Sequence, residues 1–219
     1  MTNLKHDKDR EKRCGIPEIV FGSGKSLQDL IEVSEKIITE SGRVIITRIE
    51  KERSDEVLNS VIEKNLISRY NKRGCVLIIK RKNFKVKRIG KIGIMTAGTS
   101  DISVAEEARE VAEELGCETI TEYDIGIAGL HRIFPALRRM KNCSVLIVIA
   151  GMEGALPSVV AGLTPIPVIG VPTSVGYGTA QQGKTALFTM LNSCTPVAVV
   201  NIDNGYGAAV FAYKILSAK

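Results

Sequence analysis

The second half of the chain alternates short apolar runs with segments of helical periodicity. The runs that predict strands are "KIGIMTA", "ETITEYDI", "SVLIVIAG", "PIPVIGVP" and "PVAVVNI". Helices are predicted from Ser103 to Leu115, in "HRIFPALRRMKN", "LPSVVAGL" and "QQGKTALFTMLN", and from about Gly207 onward. Short apolar strands that alternate with helices are typical of a parallel sheet covered on both faces. We therefore predict an α/β domain of three layers.

The first half carries a weaker version of the same pattern. Ser26, followed by Asp29 three residues later, predicts a helix start, and apolar residues recur at helical spacing until Gly42. The other predicted elements are a strand at 43–49, a helix at 56–65 and a strand at 75–80. These elements predict a small α/β unit.

Three segments follow from this pattern. Residues 1–13 are charged and lack an apolar pattern, so we predict a flexible tail. Residues 14–87 form the small basic N-terminal α/β domain, and residues 88–219 form the larger, catalytic domain. The boundary falls in the basic stretch "RKNFKVKRIGK", which has no apolar core of its own.

Composition narrows the classes of function. The five cysteines have no C-x-x-C spacing, which argues against a disulfide framework or a zinc site and for a reducing compartment. No apolar run is long enough to span a membrane, so we expect a cytoplasmic protein with no membrane partner. The net charge of +6 is concentrated in the first half, but acids are interspersed and aromatic residues make up only 5% of the chain. We therefore expect no nucleic-acid partner.

Glycine-rich and polar stretches follow the predicted strands of the larger domain, where parallel sheets bind ligands. "AGTSD" leads into a helix, and free amides and hydroxyls at a helix N-terminus bind anions. Ser100 suits a phosphate and Asp101 a ribose hydroxyl, although either residue is equally suited to cap the helix. The predicted substrate-binding residues are Gly98, Thr99, Ser100, Asp101, Gly151, Met152, Gly154, Ala155, Asp203 and Asn204.

Three residues are candidates for catalysis. His131 stands where a helix begins after a strand, and Glu153 lies between two glycines after an apolar strand, where partial burial would suit proton transfer. Cys194 lies between a predicted helix and a predicted strand. Its position alone leaves two readings open, an inert packing thiol or a nucleophile. Cys75, Cys117 and Cys143 are interpreted as small apolar residues.

Several motifs together resemble a known superfamily. "GIMTAGTSD", "GLHRIFP", "AGMEGALPSVVAGLTPIPVIGVPTS" and "VAVVNIDNGYGAA", in this order, resemble aminoimidazole ribonucleotide carboxylases, the PurE-like superfamily. "CGIPEIVFGSGKS", with Glu153 in "GMEGALP" and Cys194 in "LNSCTPVAVVNIDNGYG", is similar to the LarB family. LarB proteins are pyridinium-3,5-biscarboxylic acid mononucleotide synthases of nickel-pincer cofactor biosynthesis. The resemblance implies a PurE-like, flavodoxin-like or Rossmann-like fold for residues 88–219.

The resemblance also implies an activity and roles for residues. The family carboxylates nicotinic acid adenine dinucleotide with CO2 through a covalent cysteine adduct and hydrolyses the phosphoanhydride, releasing AMP. Cys194 corresponds to the nucleophile, Glu153 to the base and His131 to a histidine near the CO2 site. Mg²⁺ bound to the diphosphate is a candidate cofactor. A homo-oligomer, with the octamer of PurE-like domains as its model, is the expected assembly.

Two other functions remain open from the sequence. One is an aminoimidazole ribonucleotide carboxylase or mutase of purine biosynthesis, whose electron-rich ring needs no nucleophilic cysteine. The other is a non-catalytic nucleotide-binding module that regulates a partner. Cys194 and the N-terminal "GIPEIVFGSGKS" argue against the first. Glu153 and Cys194, which we expect at converging strand ends, argue against the second.

Overall fold

A computed structural model describes residues 7–61 and 65–218. The chain divides into two compact units, Met1–Val86 and Lys87–Lys219. No helix of the described residues is long and apolar enough to cross a membrane.

The first unit is built on a four-stranded mixed sheet. Its elements are α1 (Arg10–Cys14), β1 (Val20–Phe21), α2 (Leu27–Ser41), β2 (Arg43–Thr47), α3 (Lys51–Ser60), β3 (Leu66–Asn71) and β4 (Val76–Arg81). The strand order is β1-β2-β4-β3, in which β1 and β2 are parallel and the other pairs are antiparallel. α1 overlaps the last four residues of the segment 1–13, for which the sequence predicts a flexible tail, and residues 1–6 lie outside the described residues.

Helix α2 begins and ends where its sequence predicts. The Ser26 hydroxyl accepts a hydrogen bond from the Asp29 N–H at 3.1 Å, and Gly42 ends the helix in the left-handed conformation. Leu30 and Ile38 on its inner face are fully buried against the sheet. A single amphipathic helix thus provides much of the apolar core of this unit.

Two elements of this unit differ from their prediction. Helix α3 begins at Lys51 rather than at residue 56, because the polar first turns give no apolar signal before Val57. Strand β3 is absent from the prediction. It is half-exposed and polar in part, and it exists through its antiparallel pairing with β4.

The second unit contains a parallel sheet of five strands. Its elements are β5 (Gly90–Thr96), α4 (Ile102–Glu114), β6 (Cys117–Glu122), α5 (Ile133–Arg139), β7 (Val145–Ala150), α6 (Leu156–Leu163), β8 (Val168–Pro172), α7 (Lys184–Leu191), β9 (Val197–Val199) and α8 (Gly205–Ser217). The order is β6-β5-β7-β8-β9, and all pairs are parallel. This confirms the predicted parallel sheet and has the flavodoxin-like order.

Helices cover both faces of this sheet. α4 and α8 pack on each other on one face, and α5, α6 and α7 share a core cluster on the other. Every residue of β7 is buried, which explains its continuous apolar sequence. The structure shortens the predicted last strand to three residues and starts α5 at Ile133, after a 3-10 turn at Ile127–Arg132.

Candidate active site

A pocket of about 300 Å³ lies at the carboxyl edge of the parallel sheet. Its walls are Ala97, Gly98, Ser100 and Asp101 after β5; Gly126, Ile127 and Ala128 after β6; Ala150, Gly151, Met152, Glu153, Ala155 and Leu156 at and after the end of β7; and Val175 after β8. The connections from β5 and β7 leave toward opposite sides of the sheet, to β6 and to β8. Open parallel sheets bind ligands at such a switch point.

Asp101 is the buried polar centre of this region. Its Oδ1 accepts a hydrogen bond from Thr173 Oγ1 at 2.7 Å, and its Oδ2 accepts one from the Gly98 N–H at 2.9 Å. Burial raises the pKa of the Asp101 carboxyl, and the bonds from Thr173 and Gly98 oppose that shift. These contacts tie the loop after β5 to the end of β8. The predicted contact with a ribose therefore competes with a structural role.

The turn after β7 is fixed by close backbone contacts. A Cβ at Gly151 would lie 2.5 Å from the Val175 carbonyl oxygen and 2.6 Å from Thr173 Oγ1, so only glycine fits. The next residue, Met152, has φ of +52° and donates its N–H to Val175 at 2.8 Å. Left-handed backbone at a non-glycine residue is found at functional sites more often than elsewhere. Gly154, also left-handed, packs against the backbone of Ala186.

This turn presents Glu153 at the mouth of the pocket. The side chain is exposed, and its carboxylate makes no hydrogen bond or ion pair within the described part of the chain. Ser100 and Ala155, both predicted to bind substrate, line the same pocket. Glu153 can therefore exchange a proton with a ligand held against these residues.

Two predicted residues lie at the rim instead. Thr99 is exposed in the 3-10 turn before α4 and is not part of the lining. His131 is also exposed, three residues beyond the wall residue Ala128. The next residue, Arg132, donates to the carbonyl and carboxylate oxygens of Asp124. His131 is thus on the correct edge of the sheet but outside the pocket.

Asp203 and Asn204 follow β9 at the same edge. Asp203 has φ of +56°, and its Oδ1 accepts the Ser174 N–H at 2.8 Å. The side-chain oxygen of Asn204 accepts the Gly207 N–H at 2.8 Å and caps α8. Neither residue lines the pocket. Both hold neighbouring backbone in place.

Cys194 lies at the amino ends of the strands, opposite the end of the sheet that carries the pocket. It comes after α7 and three residues before β9, and Val197 at the start of β9 is paired with Val168 at the start of β8. It is therefore at the amino edge, whereas the pocket is at the carboxyl edge. Strand β8 alone spans roughly 13 Å at about 3.3 Å per residue. The expectation that Glu153 and Cys194 lie at converging strand ends is therefore wrong within one chain, because Glu153 follows β7 and Cys194 precedes β9.

The remaining described cysteines differ from Cys194 in exposure. Cys117 and Cys143 are buried, and Cys194 is exposed. Burial raises the pKa of Cys117 to about 12 and also raises that of Cys143. A buried thiol at neutral pH is protonated and unreactive, as the sequence predicts for these two positions. Cys75 is only partly buried and has φ of +51°.

The described residues contain no preformed set of metal ligands. Within residues 7–61 and 65–218, no three His, Cys, Asp or Glu side chains cluster closely enough to hold one. Mg²⁺ commonly binds one or two carboxylates together with substrate phosphates and water. The exposed Glu153 fits that mode, and Asp101, with both oxygens engaged, fits it less well.

Sequence reasoning missed part of the pocket. Thr173 and Val175 fix the turn after β7, and Gly126 packs so closely on the Ala97 carbonyl oxygen that a Cβ would lie 2.7 Å from it. These residues lie in the glycine-rich and polar stretches that follow the predicted strands "ETITEYDI" and "PIPVIGVP". Individual contacts within them depend on which strands are neighbours, which the sequence alone does not give.

Comparison with known proteins identifies the family. Residues 91–219 match the model of AIR carboxylases, and residues 1–82 match the LarB/PurE-like N-terminal domain. The chain belongs to the AIR carboxylase family. The combination of the two matches confirms the resemblance to LarB proteins within the PurE-like superfamily.

Individual relatives agree with this family. An uncharacterized protein of Methanocaldococcus jannaschii is 53% identical over 95% of this chain and 82% of its own length. The N5-carboxyaminoimidazole ribonucleotide mutase of Pyrococcus horikoshii is 35% identical over 58% of this chain and 73% of its own length. Among solved structures, a PurE2 variant of Treponema denticola superimposes with a TM-score of 0.50 at 22% identity, covering 58% of this chain and 80% of that one. The last likeness shows the fold.

Proposed function

We propose that the protein carboxylates the pyridinium ring of nicotinic acid adenine dinucleotide and hydrolyses its phosphoanhydride. The products would be AMP and pyridinium-3,5-biscarboxylic acid mononucleotide. The observation that carries this proposal is the joint presence of an AIR carboxylase domain, with Glu153 at its pocket, and a LarB/PurE-like N-terminal domain. The mutases of Pyrococcus horikoshii and Thermotoga maritima match 58% and 59% of this chain, whereas the uncharacterized protein of Methanocaldococcus jannaschii matches 95% of it.

The chemistry explains the need for a thiol. The pyridinium ring is electron-poor, so its carbon 5 does not attack CO2. Addition of the Cys194 thiolate at carbon 4 forms a C–S bond and converts the ring to a dihydropyridine, whose carbon 5 is nucleophilic. Carbon 5 then forms the new C–C bond to CO2. Loss of its proton and departure of the thiolate with the C–S electron pair restore the aromatic ring.

Glu153 is the candidate base for the proton on carbon 5. Its carboxylate is exposed at the pocket and free of partners in the described residues, so it is available to a bound ring. The turn that carries it is held by the contacts of Gly151 and Met152 with Val175. A base held in this way needs little rearrangement when the proton is transferred.

The size of the pocket favours one half of a dinucleotide. A volume of about 300 Å³ is at the lower end of small-molecule sites. The nicotinate mononucleotide half would occupy it, with the Ser100 hydroxyl available to a phosphate, and the adenylate half would extend outward. Mg²⁺ on the diphosphate, where present, would neutralise the charge that develops on the leaving phosphate. Asp101 would act by fixing the loop that carries Ser100.

The test is product formation from the dinucleotide. Wild type would be incubated with nicotinic acid adenine dinucleotide, bicarbonate and Mg²⁺, and the products identified by mass spectrometry. We expect the dicarboxylated mononucleotide and AMP, at least 100-fold less with Cys194→Ala, and full activity with the control Cys14→Ser. Equal product from Cys194→Ala would contradict the covalent step.

The purine reaction is the second candidate, favoured by the 35% identity to a mutase of that pathway. The same preparations would be offered N5-carboxyaminoimidazole ribonucleotide. We expect no conversion. Conversion by wild type and Cys194→Ala alike, without reaction of the dinucleotide, would assign the protein to the mutases instead.

A further inference from the structure

The loop between β8 and α7 presents an aromatic ring beside the mouth of the pocket. This loop includes the stretch "SVGYGTAQQG" at residues 174–183, and its Val175 is a wall residue. Residues 176–179 are all exposed, and Tyr177 among them is 82% exposed. Within the described part of the chain, the Tyr177 hydroxyl makes no hydrogen bond. Most of this ring is therefore available to a ligand.

Both ends of the loop are held in place. At its start, the Ser174 N–H donates to Asp203 Oδ1 at 2.8 Å. At its end, Gly183 is buried, and a Cβ there would lie 2.7 Å from the Thr173 carbonyl oxygen. The exposed residues 176–179, called the loop tip below, thus lie between two fixed points.

Two glycines set the position of Tyr177. A Cβ at Gly176 would lie 2.5 Å from the Ala180 Cβ and 3.6 Å from the Met152 Cα, so the loop tip packs on the turn after β7. Gly178 has φ of +59°, and a Cβ there would meet open space among the described residues. The first glycine allows the close approach to the pocket wall, and the second allows the chain to turn back. Tyr177 is held between them at the pocket mouth.

The loop also carries unfavourable backbone geometry. Gln181 and Gln182 follow the loop tip with φ of +47° and +54°, and both side chains are exposed. Left-handed backbone is unfavourable for residues that have a Cβ, and it is concentrated at active sites and ligand clamps. Because neither side chain is buried, packing of these glutamines does not explain the geometry. The strain indicates a loop shaped for a ligand.

The adenylate half of the proposed substrate lies outside the pocket walls. The nicotinate mononucleotide half would occupy the 300 Å³ between them, and Tyr177 is not a wall residue. Its ring is therefore placed for the part of the ligand that extends outward. Adenine is flat and uncharged, and aromatic side chains stack on such bases without hydrogen bonds.

We infer that Tyr177 stacks on the adenine base of the bound dinucleotide and so binds its adenylate half. This inference rests on the proposed function, because that function supplies the adenylate. The ring, rather than the hydroxyl, makes the contact. Removing the ring should weaken the dinucleotide and leave the affinity for nicotinic acid mononucleotide, which has no adenylate, unchanged.

Binding of these two ligands tests the inference. Their dissociation constants would be measured by isothermal titration calorimetry on the full chain, without bicarbonate or Mg²⁺. We expect Tyr177→Ala to bind nicotinic acid adenine dinucleotide about 10-fold more weakly than wild type and the mononucleotide equally well. Tyr177→Phe keeps the ring and should bind both ligands as wild type does. The control Phe211→Ala removes a 45% exposed ring from α8 and should change neither.

Two results would overturn the inference. One is equal affinity of wild type and Tyr177→Ala for the dinucleotide, and the other is an equal loss for both ligands, which would mean that the pocket itself is disturbed. Thermal unfolding of Tyr177→Ala should match wild type, because the side chain is exposed. If wild type binds the dinucleotide but forms no product when bicarbonate and Mg²⁺ are added, the proposed function fails. The two affinities then still decide the role of Tyr177.

Discussion

At the scale of single residues, the shape of the candidate pocket depends on glycines, which have no side chain, as much as on residues that have one. Gly151 leaves room for the Val175 carbonyl oxygen at 2.5 Å from where a Cβ would be, and Met152 accepts a left-handed backbone beside it. The close approach of Gly151 to Val175 and the left-handed backbone of Met152 together set the direction of the Glu153 side chain. The position of Glu153 therefore depends on a residue that has no functional group of its own.

Gly151→Ala tests this dependence. The added methyl group meets Thr173 and Val175, so we expect a loss of about 2 kcal/mol in the free energy of unfolding and a lower kcat, because the turn that carries Glu153 must shift. Gly162→Ala is the matched control. It lies in helix α6, its new Cβ would meet only Thr195 at 3.5 Å, and we expect stabilisation by about 0.5 kcal/mol. Urea unfolding measures both, and equal stability of the two variants would contradict the argument.

Single residues also show how much of the candidate site can be predicted from the sequence. Ser100, Asp101 and Glu153 were identified because they follow apolar strands, and parallel sheets bind ligands where strands end. The bond between Asp101 and Thr173 joins residues 72 positions apart and depends on which strands are neighbours. No local pattern contains that information. The position of Cys194, by contrast, could have been predicted from the sequence. It precedes the strand β9, so it lies where the parallel strands begin, whereas the pocket lies where they end.

At the scale of elements, local signals predict best where a helix carries its own caps. Helix α2 was predicted to its ends because Ser26 and Gly42 determine them. Strand β3 was missed because an edge strand needs no apolar alternation, and its pairing partner β4 supplies the stabilisation. The start of α8 was predicted only in part. Asn204 caps this helix, but the sequence also predicts that Asn204 binds substrate.

Asn204 separates these two roles by substitution. Asn204→Ala removes the acceptor for the Gly207 N–H, and we expect a loss of about 1 kcal/mol in stability. Asn204→Asp keeps an acceptor and adds negative charge at the helix N-terminus, so stability should be retained. Thermal unfolding measures this difference. A raised KM in Asn204→Asp would show that the amide also contacts substrate, whereas an unchanged KM would limit the residue to capping.

At the scale of the whole molecule, the two units have separate hydrophobic cores. One cluster, around Leu30, Ile38 and Leu77, lies within Met1–Val86, and another, around Met95, Ile133 and Leu146, lies within Lys87–Lys219. All residues that line the pocket belong to the second unit. A core of its own is the property that lets a domain fold alone.

We therefore expect residues 87–219, expressed alone, to fold without the N-terminal unit. The parallel sheet and its covering helices lie wholly within this fragment, which is of a size that normally unfolds in one cooperative step. Thermal unfolding followed by circular dichroism should show a single sharp transition, and the fragment should keep the buried thiols Cys117 and Cys143 protected from alkylation at pH 8. A broad transition with rapid labelling of both thiols would mean that the second core depends on the first unit.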